Sequence, residues 1–243
     1  EIRVLLDDDA GFKALRVHTD LYGMALNLPA PFGKQVKDYQ PLTLLLTPEM
    51  STTMRGRFQY GEVLAVALRL IEQGPGYALE RGLVKLGDKQ VELPREKGLW
   101  IEGRIARSNL DDWTRMMVSE SESAKPATET NNNLARQLRG AELVFDELRG
   151  FGQTLRDLRL TLNRLPDHWL LSASGPNIEG DIEWPLAPRG VARADIRHLE
   201  LVRPSEDLLE SNGEPADPST WPGLELNCRR LIMNGEELGA LKI

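Results

Sequence analysis

The residues from Leu148 to Leu160 read L-R-G-F-G-Q-T-L-R-D-L-R-L, and the last thirteen, Leu231 to Ile243, read L-I-M-N-G-E-E-L-G-A-L-K-I. Leucine, glycine, leucine and leucine recur at the same relative places: Leu148 and Leu231, Gly152 and Gly235, Leu155 and Leu238, Leu158 and Leu241. Each stretch follows an alternating tetrad, Glu142-Leu143-Val144-Phe145 in one and Glu225-Leu226-Asn227-Cys228 in the other. The pattern is a strand, a tight turn at glycine and a second strand, used twice. A repeated hairpin predicts a sheet that grows by addition of units, each burying its apolar side against its neighbours. It favours an extended surface over a compact enzyme.

Period-2 alternation runs through most of the chain. Leu15, Val17 and Thr19 alternate with Arg16 and His18; Ala25 to Leu28 continue the theme. Met54, Gly56, Phe58 and Tyr60 share one side, with Arg55, Arg57 and Gln59 on the other. Gly61-Glu62 predicts a turn into the run 63–70. The runs 79–86 and 90–93 flank Gly87-Asp88, which predicts a hairpin. Residues 100–105 alternate again, as do Trp169, Leu171 and Ala173, then Ile178, Gly180, Ile182 and Trp184, then Ala192, Ala194 and Ile196. Short runs of this kind, punctuated by Gly, Pro, Asn and Asp, predict a mainly β, mostly antiparallel fold. One short α-helix is expected over 109–118. Ser108 or Asn109 caps it, Asp111 and Asp112 complement its dipole, and Trp113, Met116 and Met117 form a stripe that plugs one end of a sheet.

Two stretches lack the apolar side chains that offset ordering entropy: 119–133, rich in Ser and Glu, and 205–222, rich in Pro, Glu, Asp and Ser. The expected organisation is a first β segment over 1–118 ending in the helix, a flexible linker over 119–133, and a second β segment over 134–243 carrying a loop insertion at 205–222. The chain starts at Glu1 without Met and ends in a strand-like run, which reads as a stretch excised from a longer protein.

The formal net charge of −7 argues against a nucleic-acid surface, which needs a basic stripe, and leaves room for local basic patches. No apolar run approaches the roughly 18 residues of a membrane span. The single cysteine, Cys228, has no internal disulfide partner and reads as a small core residue. His18, His168 and His198 stand apart and form no metal-ligand spacing. Asp7-Asp8-Asp9 lacks the spaced ligands and glycine of a calcium loop and reads as a solvated turn. Neither Gly74-Pro75-Gly76 nor Gly150-Phe151-Gly152 leads into a helix, so neither cradles a phosphate. No nucleophile elbow occurs, and no pair among the 37 acids has a spacing that selects it for glycoside chemistry. No enzyme, metal or cofactor is expected. What remains is amphipathic sheet. Either two apolar faces cover each other in a closed β-sandwich, a structural or interaction module, or one sheet keeps its apolar face open as a trough. A carbohydrate-active β enzyme is the third reading.

Five segments, in order, resemble the YhdP family of AsmA-like envelope proteins of Gram-negative bacteria. They are residues 21–34 (L-Y-G-M-A-L-N-L-P-A-P-F-G-K); 98–104 (G-L-W-I-E-G-R) with Leu110-Asp111-Asp112-Trp113; Phe151-Gly152-Gln153 with Leu155 and Leu158; 174–185 (S-G-P-N-I-E-G-D-I-E-W-P); and 224–243. The chain departs from the pattern in its two polar stretches. The resemblance implies a long, curved sheet of repeating hairpins that forms an apolar groove. It also implies a very long periplasmic parent, anchored in the inner membrane by one N-terminal helix and concerned with outer membrane biogenesis, and lipid transport, moving phospholipid between the inner and outer membranes. Given that resemblance, the open trough stands ahead of the sandwich. Its partners would be phospholipid acyl chains and neighbouring repeats of the same parent chain, with membrane contact only through other parts of the parent and no nucleic acid. Residues expected to line the groove are Leu26, Leu28, Phe58, Val66, Leu68, Ile101, Leu160, Leu171 and Ile182.

Overall fold

The computed structural model describes residues 2–7, 11–123, 136–187, 190–202 and 223–243. The elements run β1 (Ile2–Asp7), β2 (Gly11–Thr19), β3 (Leu42–Met50), β4 (Thr53–Tyr60), β5 (Leu64–Gln73), β6 (Gly76–Leu86), β7 (Gly98–Asn109), α1 (Leu110–Ser123), β8 (Leu138–Gly150), β9 (Gln153–Arg164), β10 (His168–Ser174), β11 (Ile178–Pro185), β12 (Val191–Leu201), β13 (Gly223–Met233) and β14 (Glu236–Lys242). All fourteen strands belong to one sheet, and their order across it is their order along the chain. The expected mainly β, mostly antiparallel architecture with one helix is what forms. A two-sheet sandwich is not: among the described residues there is no second sheet to close over the first.

The twice-used hairpin is real and geometric. Phe151 and Gly152 turn β8 into β9 with φ of 51° and 71°; Asn234 and Gly235 turn β13 into β14 with φ of 52° and 80°. Positive φ at both central residues is the two-residue turn whose twist matches the flanking strands. The registers also correspond. Phe145 faces Leu158 in the first hairpin, and Cys228 faces Leu241, their counterparts, in the second. The two hairpins differ between those points, where Leu231 faces Gly239 and not Leu238.

The pairings of β6 with β7 and of β12 with β13 are parallel. The first overturns the hairpin expected at Gly87-Asp88. Residues 90–93 form no strand, and the chain returns through 87–97 to lay β7 beside β6, Val84 facing Ile101. Pro94 ends the short stretch Val91-Glu92-Leu93 and has no N–H to donate to a ladder. A second correction concerns Ala25 to Leu28, which are not a strand. They lie in the irregular connection 20–41, where only Leu26 bridges to Lys34.

Lys34 organises that connection. Its side chain is buried, and its ammonium donates to the carbonyl oxygens of Leu21 (2.8 Å), Gln35 (3.0 Å) and Met24. An ammonium has three donors, and all three are used on backbone carbonyls of this connection. Hydrogen bonds to a charged group contribute about 1.5–3 kcal/mol. Lys34→Met is therefore expected to speed amide exchange across 20–41 by about tenfold or more, while exchange in β4 and β5 keeps its wild-type rate. Exchange measured by mass spectrometry checks this; unchanged protection of 20–41 would contradict it.

The helix begins as expected. The Asn109 side chain accepts from the Asp111 amide (2.9 Å), Trp113 Nε1 donates to Ser108 Oγ (3.3 Å), and Asp111 accepts from the Phe151 amide (2.9 Å). A Cβ on Gly150 would run into Leu110, so the helix start rests against the turn between β8 and β9. The helix continues past 118 to Ser123, into the stretch expected to be linker. Ser and Glu cost only a few tenths of a kcal/mol per residue once a helix is nucleated. The rest of that stretch, like the loop insertion at 205–222, lies outside the described residues.

The chain divides into two compact units, one holding residues up to Arg104 with Ser119–Arg139, the other Ile105–Val118 with Gly140–Ile243. In the second, Ala194, Ile196 and Cys228 form a buried cluster with Ile182, Leu199, Leu226 and Leu231 packed on it. Cys228 is fully buried, the small core residue its alternating context predicts.

Candidate functional site

Strand register decides which side chains share a face. In the first unit, Leu44, Phe58, Val66, Val84 and Ile101 stand in one row across β3 to β7. The next row is Leu46, Gly56, Leu68, Gly82 and Leu99. The glycines make room for their neighbours: a Cβ on Gly82 would meet Leu68 and Leu99, and one on Gly56 would meet Leu46. In the second unit one row is Leu143, Leu160, Ala173, Gly180, Ile196, Cys228 and Leu241, and beside it run Leu162, Leu171, Ile182, Ala194 and Leu226.

The opposite face of the second unit is an ion-pair lattice. Arg193 meets Glu225 (2.9 Å), Arg197 meets Glu179 (3.1 Å) and Asp181 (3.3 Å), and Arg229 meets Asp195 (3.1 Å). Exposed pairs of this kind contribute little to stability. Their larger effect is on the choice of face, because a one-residue slip would put every one of these charges on the apolar side.

Seven of the nine residues expected to line a groove therefore fall on these two faces: Phe58, Val66, Leu68 and Ile101 in the first unit, and Leu160, Leu171 and Ile182 in the second. Within each unit they share one parity. Leu26 and Leu28 do not join them; both sit in the connection 20–41, and Leu28 is exposed.

A cleft of about 790 Å³ opens in the first unit. It is bounded by Arg3, residues 16–18, 43–45 and 57–59, Ala65 and Val66 on the sheet, and by residues 89–92 of the connection between β6 and β7. Its size is that of a small-ligand site. Phe58 and Val66 are among its bounding residues; so are Arg16, His18, Arg57 and the stretch 89–92, which were not anticipated. Arg16 and Arg57 alternate with apolar neighbours and read as an outward face, and nothing in a short polar-apolar run places 89–92 against β4 and β5. The Lys89 ammonium holds Glu62 at 2.6 Å, and that hydrogen bond keeps the Glu62 carboxyl below its ordinary range. Lys85 is shifted upward, first by its hydrogen bond to Glu102. Tyr60, whose hydroxyl donates to the Phe32 carbonyl (3.0 Å), is pushed up by burial.

Among the described residues no group of three or more His, Cys, Asp or Glu could hold a metal ion, and no helix is long and apolar enough to cross a membrane. Sheet, hairpins and apolar rows define a β protein whose largest asset is a partly covered apolar face laid out strand by strand. The chain belongs to the YhdP family: the family model, described as YhdP protein, matches residues 1–243. Neither a curated protein nor a solved structure matches it.

Proposed function

We propose that this chain is a non-enzymatic segment of an envelope protein whose apolar β face receives phospholipid acyl chains on their way between the inner and outer membranes. Membership of the YhdP family supports the reading, and so does the single sheet with unbroken apolar rows. The carrying observation is the row Leu44, Phe58, Val66, Val84 and Ile101: five apolar side chains on five consecutive strands, all only partly buried. Contiguous apolar surface of this extent marks a ligand or partner. Each methylene laid on it contributes about 0.8 kcal/mol, so two long acyl chains are held without any reading of the headgroup. Acyl chains need area, not a constellation, which fits a surface without catalytic groups. The parent protein would act in the periplasm, anchored in the inner membrane by a part outside this chain.

Native mass spectrometry of the purified chain tests this. Co-purified phospholipid, or uptake of a fluorescent fatty acid by delipidated protein, is the expected result. A chain that is lipid-free and takes up no fatty acid would fit a structural or docking module and remove the proposal.

A further inference from the structure

On the apolar face of the second unit, burial falls away along the strands. In β11 and β13, Gly180 and Cys228 are buried, Ile182 and Leu226 are half-buried, and Trp184 and Leu224 are 49% and 58% exposed. Each step is two residues, so all of these side chains keep one face. The outermost row crosses β9, β10 and β11 as Arg164, Trp169 and Trp184, each directly opposite the next. It is the last row before β10 and β11 end, at His168 and Pro185. The Arg164 guanidinium lies over the Trp169 ring, 5.6 Å from its centroid. That contact holds a cation at the rim of the face. The indoles bring N–H donors to the same rim. Trp113 Nε1 donates to Ser108, but neither Trp169 nor Trp184 gives its N–H to a protein acceptor among the described residues.

We propose that this row seats the ester and phosphate level of a bound phospholipid, with the acyl chains on the neighbouring row of Leu162, Leu171 and Ile182. The inference rests on the lipid reading above and adds to it which way round the lipid lies. Two residues along a strand are about 7 Å, so one phospholipid spans both rows. The order of polarity then matches. Leucine and isoleucine meet hydrocarbon. Indole, an apolar body with a polar edge, suits the boundary between hydrocarbon and water. Its ring covers the first methylenes while its N–H donates to an ester carbonyl or a phosphate oxygen. The Arg164 cation stands at the phosphate level. The reverse orientation would press the phosphate towards Ile196 and Cys228, which are buried and apolar. A free phosphate would meet Arg164 but leave the rings of Trp184 and Leu224 uncovered, so the lipid is the occupant the row fits.

The test loads the delipidated chain with phosphatidylglycerol brominated either beside the ester carbonyls or near the chain ends, and reads tryptophan fluorescence, which bromine quenches at contact. Mass spectrometry confirms equal loading of the two lipids. The contribution of the pair is the signal lost in the double variant Trp169→Phe/Trp184→Phe, which keeps an aromatic ring at both places. Bromine beside the esters should quench that contribution at least about twofold more than bromine near the chain ends, as a ring at the hydrocarbon boundary requires. Should the double variant lose its melting transition, Trp184→Phe alone, at the exposed ring, supplies the same difference. Equal quenching by the two lipids, or stronger quenching from the chain ends, overturns this inference and leaves the proposed function standing. A chain that loads neither lipid overturns both.

Discussion

Leu158→Glu is expected to abolish the cooperative unfolding transition of the second unit, whereas Leu171→Glu, two strands from β8 on the same apolar face, should move it by only a few degrees. Leu158 is 2% exposed and faces Phe145, itself buried, across the hairpin of β8 and β9. A carboxylate there has no water and no cation, at a cost of several kcal/mol. That is a large share of the roughly 5–15 kcal/mol that holds a domain together. Leu171 is only partly buried, between Leu162 and Ile182, and a glutamate there can swing its head to water while its stem stays on the face. Circular dichroism melts report the difference, and Trp169 and Trp184, paired with each other across β10 and β11, give a local fluorescence signal. In the first unit Phe58→Arg should behave like Leu171→Glu. Ser172→Glu and Gln59→Arg, on the opposite parity, serve as controls for the faces. Collapse of both Leu171→Glu and Phe58→Arg would mean the apolar rows are sealed, and the lipid reading would fall with them. If they fold, the same changes in the parent protein should obstruct lipid passage, because a charge in the middle of an acyl path must be dehydrated by every chain that passes.

Alternation states that a residue lies on a strand and which neighbours share its side. This is why the β architecture, the two hairpins and the shared side of Met54, Gly56, Phe58 and Tyr60 were legible from residues alone. Alternation is silent on strand direction: a period of two looks the same in a parallel and an antiparallel ladder. Gly87-Asp88 therefore read as a hairpin, although β6 pairs in parallel with β7. The placement of Leu26 and Leu28 failed for a different reason. Their alternation is genuine, but Pro29 and Pro31 follow at once, and Leu26 pairs with the backbone of Lys34 inside the connection instead of with a neighbouring strand. The cleft was invisible for the same cause as the parallel seam. Its wall at 89–92 exists only because the chain must travel back along the sheet to begin β7, and Arg16 and Arg57 are brought into relation by the register of three strands, not by any spacing in sequence.

The parallel seam itself should be the least forgiving backbone position in the first unit. Gly103 pairs with Leu86 across it and holds φ of 142°, a region that side chains avoid. A Cβ at Gly103 would overlap the carbonyl oxygen and amide nitrogen of Leu86, which are backbone and cannot swing aside. Backbone strain of this class costs about 1–3 kcal/mol by itself. The overlap adds to it, since relieving it requires β7 to lift from β6 where Lys85 and Glu102 also meet at 3.2 Å. Gly103→Ala is therefore expected to lower the stability of the first unit by about 3 kcal/mol or more. Gly76→Ala, at the open start of β6 with nothing within contact of the added carbon, should stay within about 0.5 kcal/mol of wild type or gain slightly from the stiffer unfolded chain. Urea unfolding separates the two, with an unchanged slope showing that stability and not compactness has moved. Amide exchange should place the loss at the seam, with protection falling in 82–86 and 99–103 first. A Gly103→Ala chain that unfolds at the wild-type midpoint would mean that β7 does not lie against β6 in this register, and the wall of the cleft, which depends on that return, would have to be drawn elsewhere.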